Sequence, residues 1–378
     1  MKPPGLDDVM TYVCCQKARA PQVVKLVLAV AWLAFIAGCA TDQGSKVGKK
    51  PIFYPPPPAA PRLQFLVSYS DEIDLGMAVS PLATFITGET PRSQPIVKPY
   101  GVLIMSNQIF VCDTGTRTVD ILDLVGKTMS RFSPTDAGKF GTPVNLAIDE
   151  DGTRYVADTG RNRILIYGVG DALIGQIGED DSLRPTCVAL GKGRIFVTDI
   201  KTHCVRVYDK VGLKPLFTIP RNPDEAEEKE PGKLYMPVNV AVDQSGRVYV
   251  SDMATCRVLV FDAEGRHLRS IGTRGDLPGQ FARPKGIAVD RENRLYVVDA
   301  ATQVCQIFDA DGKLLLFFGE QGGSAAPLSL PAGITVDYAH VGLFQKYVAP
   351  DFVVEQLVII ANQYGTKKIS VYGLGHKR

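Results

Sequence analysis

Arg283-Pro284-Lys285-Gly286-Ile287-Ala288-Val289-Asp290 decides the fold, together with the three runs that follow it: Leu295-Tyr296-Val297-Val298-Asp299, Gln306-Ile307-Phe308-Asp309 and Leu314 to Phe318. Each run is short, rich in β-branched and aromatic residues, and bounded by residues that favour turns, as expected of half-buried strands. Asp311-Gly312 separates the third run from the fourth and Glu292-Asn293 the first from the second, residue pairs that tolerate the positive φ of tight hairpins. The unit therefore reads as four antiparallel strands.

Working outward, the same unit recurs from residue 98 to residue 378. Equivalent prolines stand at Pro99, Pro143, Pro185, Pro237, Pro284 and Pro331, at spacings of 42 to 52 residues. That period suits one four-stranded propeller blade, and six copies close a ring. The last unit has first, second and third strands at Gly333 to Val336, Leu357 to Ala361 and Ile369 to Tyr372, but no fourth strand before Arg378. Arg62 to Val67 resembles the missing strand, so the N-terminal segment is expected to complete the final blade and remove two open sheet edges. An all-β, six-bladed propeller over residues 62–378 follows.

The recurring proline, the Ala-Val-Asp and Tyr-Val-Asp strand ends and Gly279-Gln280-Phe281 before Pro284 resemble the NHL-repeat family of six-bladed propellers. Related propellers include a zinc-dependent amidating lyase, which gathers several histidines at the channel, and calcium-dependent lactonases, which gather Glu, Asn and Asp. Against the first, the chain has only His203, His267, His340 and His376. Against the second, Asn145 and Asn239 lie two residues after their prolines, while Gly101, Gly286 and Gly333 hold the equivalent places elsewhere. Glycines there are expected to widen the channel without supplying chemistry. Fold alone does not assign an activity.

Ahead of the repeats, Lys17, Arg19 and Lys25 precede an apolar run from Leu26 to Ile36, which ends in Ile36-Ala37-Gly38-Cys39. This looks like a bacterial lipoprotein signal over residues 1–38, with Cys39 as the lipidated residue. Residues 39–61, with Pro51, Pro55 to Pro58 and Pro61, read as a stiff Pro-rich tether. The expected location is the cell envelope, with the membrane reached through lipid on Cys39, and Ala40 suggests the outer membrane of a Gram-negative bacterium.

The chain carries 42 basic and 40 acidic residues, a balance that gives no general attraction for nucleic acid, and no nucleic-acid partner is expected. Five cysteines remain in the mature part, Cys112, Cys187, Cys204, Cys256 and Cys305, without the pairs expected of a metal or haem site. They read as buried structural thiols.

Two rings follow from the register. Asp113, Asp158, Asp199, Asp252 and Asp299, with Asn362 in the last unit, end the second strands and should accept hydrogen bonds from the following turns. Arg117, Arg161, Arg163, Lys201, His203 and Arg257 come just after them, a candidate face for an anionic ligand or an envelope protein. Two insertions also suggest partner binding: the acidic segment 221–233, and residues 338–356, where Phe344, Tyr347, Phe352 and Val353 offer apolar surface. No cofactor, metal set or catalytic residues are assigned. The reading is a lipid-anchored binding or assembly scaffold, with a metal-dependent hydrolase or lyase acting at the central channel as the alternative.

Overall fold

A computed structural model describes residues 50–76, 93–178, 182–221, 232–319, 326 and 328–378. The proposed signal and Cys39 lie outside these residues, as does most of the acidic insertion. Residues 51–378 form one compact unit.

Two strands precede the first repeat, β1 (Ile52–Tyr54) and β2 (Leu63–Tyr69). Blade 1 holds β3 (Pro99–Met105), β4 (Gln108–Asp113), β5 (Thr118–Asp123) and β6 (Thr128–Phe132). Blade 2 holds β7 (Pro143–Ile148), β8 (Arg154–Asp158), β9 (Arg163–Tyr167) and β10 (Leu173–Ile177). Blade 3 holds β11 (Pro185–Gly191), β12 (Arg194–Asp199), β13 (Cys204–Asp209) and β14 (Pro215–Ile219). Blade 4 holds β15 (Pro237–Val242), β16 (Val248–Asp252), β17 (Arg257–Phe261) and β18 (His267–Ile271). Blade 5 holds β19 (Pro284–Val289), β20 (Leu295–Asp299), β21 (Val304–Phe308) and β22 (Leu314–Phe318). Blade 6 combines β23 (Pro331–Asp337), β24 (Phe352–Asn362) and β25 (Ile369–Lys377) with β2 and then β1.

Strands within each blade pair antiparallel in chain order, and β2 closes blade 6 by pairing with β25. The expected joining of the two chain ends is thus present. Burial falls from the middle of each blade outward: β8, β16 and β20 are buried along their whole length, whereas β10 and β18 alternate. Middle strands are sandwiched between neighbouring blades, which explains their unbroken apolar runs. Antiparallel order also fixes two faces. Loops between blades and second-to-third-strand turns share the crossover face, while the other hairpins share the hairpin face.

Blade 6 differs from expectation in two places. Residues 51–61 do not act as a spacer, because β1 pairs with β2 and Tyr54 packs against Phe318 and Tyr372, with ring centroids 5.7 and 6.4 Å apart. A segment that opens with Ile52 and Tyr54 can extend the sheet before its prolines turn the chain back, so the propeller begins near Pro51. The insertion after β23 folds onto its own blade rather than standing clear. Phe344 and Phe352 are 1% exposed, and Phe352 stacks on Phe53 at 5.2 Å. Gln64 clamps the segment, donating from Nε2 to the Tyr347 carbonyl at 2.9 Å and accepting from the Ala349 N–H at 3.0 Å. Val353 is half-buried within β24, opposite His376. The apolar side chains expected to meet a partner thus largely cover this sheet.

Candidate functional site

The buried carboxylates at the ends of the second strands hold the crossover face together. Asp299, fully buried, accepts from the backbone N–H groups of Ala282 and Arg283 before its blade and of Ala301 and Thr302 in the turn after it, at 2.7 to 3.1 Å. Asp113, Asp158 and Asp252 make the same two-sided clasp. Asn362 reproduces half of it by accepting from the Ser329 N–H at 3.1 Å. Burial alone would raise Asp199, but bonds from Thr202, Arg184 and Lys201 and the charge of Arg206 outweigh it and hold the carboxyl below its ordinary value. The acidic ring is structural: its oxygens are taken by backbone N–H groups, except that Asp199 Oδ2 is held by the Thr202 hydroxyl and Arg206.

The inner ring two residues after each proline is also spoken for. Asn145 Oδ1 accepts from the Val188 N–H of the next blade at 3.1 Å, and Asn239 Oδ1 from the Ile287 N–H at 3.2 Å. The glycines do the opposite of widening the channel. A Cβ on Gly333 would lie 2.1 Å from the Tyr100 carbonyl oxygen and one on Gly286 2.6 Å from that of Ala332, so here the inner strands abut backbone to backbone.

Every residue of the predicted basic set falls on the crossover face. Arg117 and His203 occupy second-to-third-strand turns with positive φ, 60° and 55°. Lys201 sits in the same turn as His203, and Arg163 and Arg257 are the first residues of β9 and β17. They are not equally available. Arg161 donates to the Lys139 and Ala137 carbonyls, and Arg163 to Gln176 Oε1 at 2.9 Å. Arg117, Lys201, His203 and Arg257 are exposed.

Sequence reading missed the more central cations. Lys98 and Arg283 immediately precede their prolines, and Lys285 follows Pro284. Their signal was the proline itself: residues on either side of it are placed at the channel mouth by a β-bulge in the inner strand. Lys285 Nζ crosses blade 6 to lie 5.1 Å from the centre of the Tyr100 ring. Ala332 holds the equivalent place in blade 6. Burial pulls the Lys285 ammonium down to about 8, and the charges of Arg283 and Lys98 push the same way. Tyr100 is pushed up to about 12, chiefly by burial, so it keeps its proton.

The hairpin face is organised otherwise. Asp243 pairs with Arg247 at 2.7 Å, Asp290 with Arg294 at 2.6 Å and Asp149 with Lys210 at 2.6 Å. Asp243, Asp290, Asp337 and Tyr338 line a hollow of about 220 Å³ there, but Asp337 is engaged by His340. Among the described residues, no three His, Cys, Asp or Glu side chains are grouped to hold a metal ion. The five cysteines among the described residues are buried and form no disulfide, and burial raises Cys187 to about 12 and drives Cys112 and Cys305 upward too. No helix among the described residues is long and apolar enough to cross a membrane.

Comparison with known proteins agrees with this architecture. A family model described as a 6-bladed beta-propeller matches residues 235–317. The chain is 32% identical over 146 residues to Protein brain tumor of Drosophila melanogaster; the match takes in 36% of this chain and 13% of that protein's length. This supports repeats of the NHL kind. Among solved structures, a gluconolactonase from Xanthomonas campestris is 15% identical with a TM-score of 0.53, covering 86% of this chain and 94% of its own. A catalytically inactive virginiamycin B lyase from Staphylococcus aureus with quinupristin is 13% identical with a TM-score of 0.51, covering 74% and 96%. At such identities the likeness is one of fold. The chain is a six-bladed β-propeller of four-stranded antiparallel blades, the last one completed by its N-terminal strands.

Proposed function

We propose that the protein is a lipid-anchored propeller of the cell envelope that binds an acidic protein partner on its crossover face. The observation that carries this reading is the exposed set Arg117, Lys201, His203 and Arg257 around a mouth that also holds Lys98, Arg283 and Lys285. The carboxylates beneath them are occupied within the fold, chiefly by backbone N–H groups and for Asp199 also by Thr202 and Arg206. Such a surface steers an acidic partner, and each charge-assisted contact contributes about 1.5 to 3 kcal/mol. A metal-dependent hydrolase or lyase at the channel is less well supported, since Asn145 and Asn239 are spent joining blades.

The anchor and the binding face are tested separately. Cys39→Ser is expected to block processing, and a variant with an ordinary cleavage site should fractionate as soluble protein; its retention on membranes would refute the anchor. For the face, partners captured from an envelope extract by the wild type should be lost with Arg117→Glu, Arg163→Glu and Arg257→Glu combined, while circular dichroism stays unchanged. Identical capture by the variant would refute the binding reading.

A further inference from the structure

We propose that Lys285, with Lys98 and Arg283 above it and Tyr100 beside it, forms an oxyanion site at the mouth of the central channel, suited to a small carboxylate or phosphate. This goes beyond the partner-binding reading, which rests on the turns farther out.

Three observations converge on the site. Lys285 is half-buried, yet among the described residues its ammonium has no carboxylate or hydrogen-bond partner; its one specific contact is the face of Tyr100 at 5.1 Å. The charged groups that bear on it are both positive, Arg283 from the loop entering its own blade and Lys98 from the loop entering blade 1. Blades 4 and 6 place Val238 and Ala332 at the equivalent register, neither of which titrates. A half-buried cation hemmed in by like charge is electrostatically unfavourable unless an anion completes it.

The cluster also has the right shape for such a ligand. Lys285 does not trail in solvent: its backbone is held in β19, where its carbonyl accepts from Ser251 Oγ at 2.6 Å, and its ammonium lies against the Tyr100 ring. Tyr100 is protonated over the whole physiological range, so its ring lies against the ammonium without setting a negative charge beside it. Lys98 and Arg283 are exposed, so an anion can enter from the crossover face and lose only part of its hydration. An ammonium that is easily deprotonated when empty should be restored to full charge when the site is filled.

The test is lysine titration by NMR on the purified protein after reductive ¹³C-dimethylation, with Lys285→Met identifying the resonance. Inorganic phosphate and acetate serve as the two probes. In a low-salt zwitterionic buffer the Lys285 resonance should titrate near 8. Either probe at tens of millimolar should raise that midpoint, by about one unit for each tenfold preference for the charged form. A response to phosphate alone assigns a phosphoryl ligand, and a response to acetate alone a carboxylate. Lys285→Arg should keep phosphate binding but lose its fall above pH 8, and Lys98→Ser with Arg283→Ser should weaken binding. An unmoved midpoint with both probes overturns the site, as does an equal shift of the hairpin-face lysines Lys214 and Lys313.

Discussion

The two faces of this propeller handle charge in opposite ways. On the hairpin face, acids and bases meet: Asp243 with Arg247, Asp290 with Arg294, Asp149 with Lys210, Asp171 with Arg154. On the crossover face ion pairs are fewer, Asp199 with Arg206 and Asp120 with Arg131, while the strand-end acids turn inward chiefly to satisfy backbone N–H groups and many of the bases are left facing solvent. The hairpin face pairs more of its charges within itself, and the crossover face leaves more of its cations for a partner. Propeller geometry produces the difference. Loops between blades need buried acceptors, because the backbone N–H groups just ahead of each inner strand have no sheet partner, whereas a hairpin turn closes on itself and leaves its side chains to pair.

The largest expected effects come from the buried acceptors. Asp299→Ala would strip four backbone N–H groups of their acceptor and should cost about 3 to 5 kcal/mol, read from denaturant unfolding. Asp311→Ala, an exposed hairpin-face turn residue, should cost under about 1 kcal/mol. Equal losses would mean that the crossover carboxylates are not special. Gly333→Ala tests the seam where blade 6 meets blade 1, since its Cβ would collide with the Tyr100 carbonyl, and a strong loss of stability is expected.

A smaller effect should come from Lys285. Its folded value is lowered from 10.5 to about 8, so the unfolded chain binds more protons between those limits and wild-type stability rises with pH across them. Lys285→Met should therefore be more stable than the wild type at pH 7 by about 1 to 2 kcal/mol after allowing for solvent, and the gap should close as pH climbs from about 8 to about 10.5. Melting curves at several pH values would show it, and a constant gap would place the lysine in solvent.

Asp120 offers the complementary case. Burial raises it to about 6 although Thr118 and Arg131 oppose the shift, and its Oδ2 has no hydrogen-bond partner. A raised carboxyl contributes stability below about 4 that is lost as pH rises through about 6. Asp120→Asn should gain on the wild type by about 1 kcal/mol between pH 4 and pH 7. A gap that does not change over that interval would mean that Arg131 compensates the charge fully.

Much of this was legible in the sequence because the repeat carries it. The six prolines, the strand-end Asp residues and the pairing of Leu63 to Tyr69 with the C-terminal strand all follow from period and register, and so does the face on which Arg117 and Arg257 lie. What escaped depends on neighbours that a single repeat does not show. Gly333 looks like open space along its own strand, yet it marks contact with the next blade. Phe344 looks like a partner contact until β2 and β25 supply the sheet that it covers. Lys285 looks like any exposed lysine beside a proline, and only the ring brings Lys98 and Tyr100 from another blade against it.

The central claim is that affinity for an acidic partner resides on one face alone. It is tested most directly by measuring partner binding across ionic strength for two matched charge reversals, Arg117→Glu/Arg163→Glu/Arg257→Glu on the crossover face and Lys214→Glu/Arg266→Glu/Lys313→Glu on the hairpin face. The first set should abolish binding and its salt dependence, while the second leaves both within about twofold of the wild type. Equal losses from the two sets would show a response to net charge alone and contradict the account.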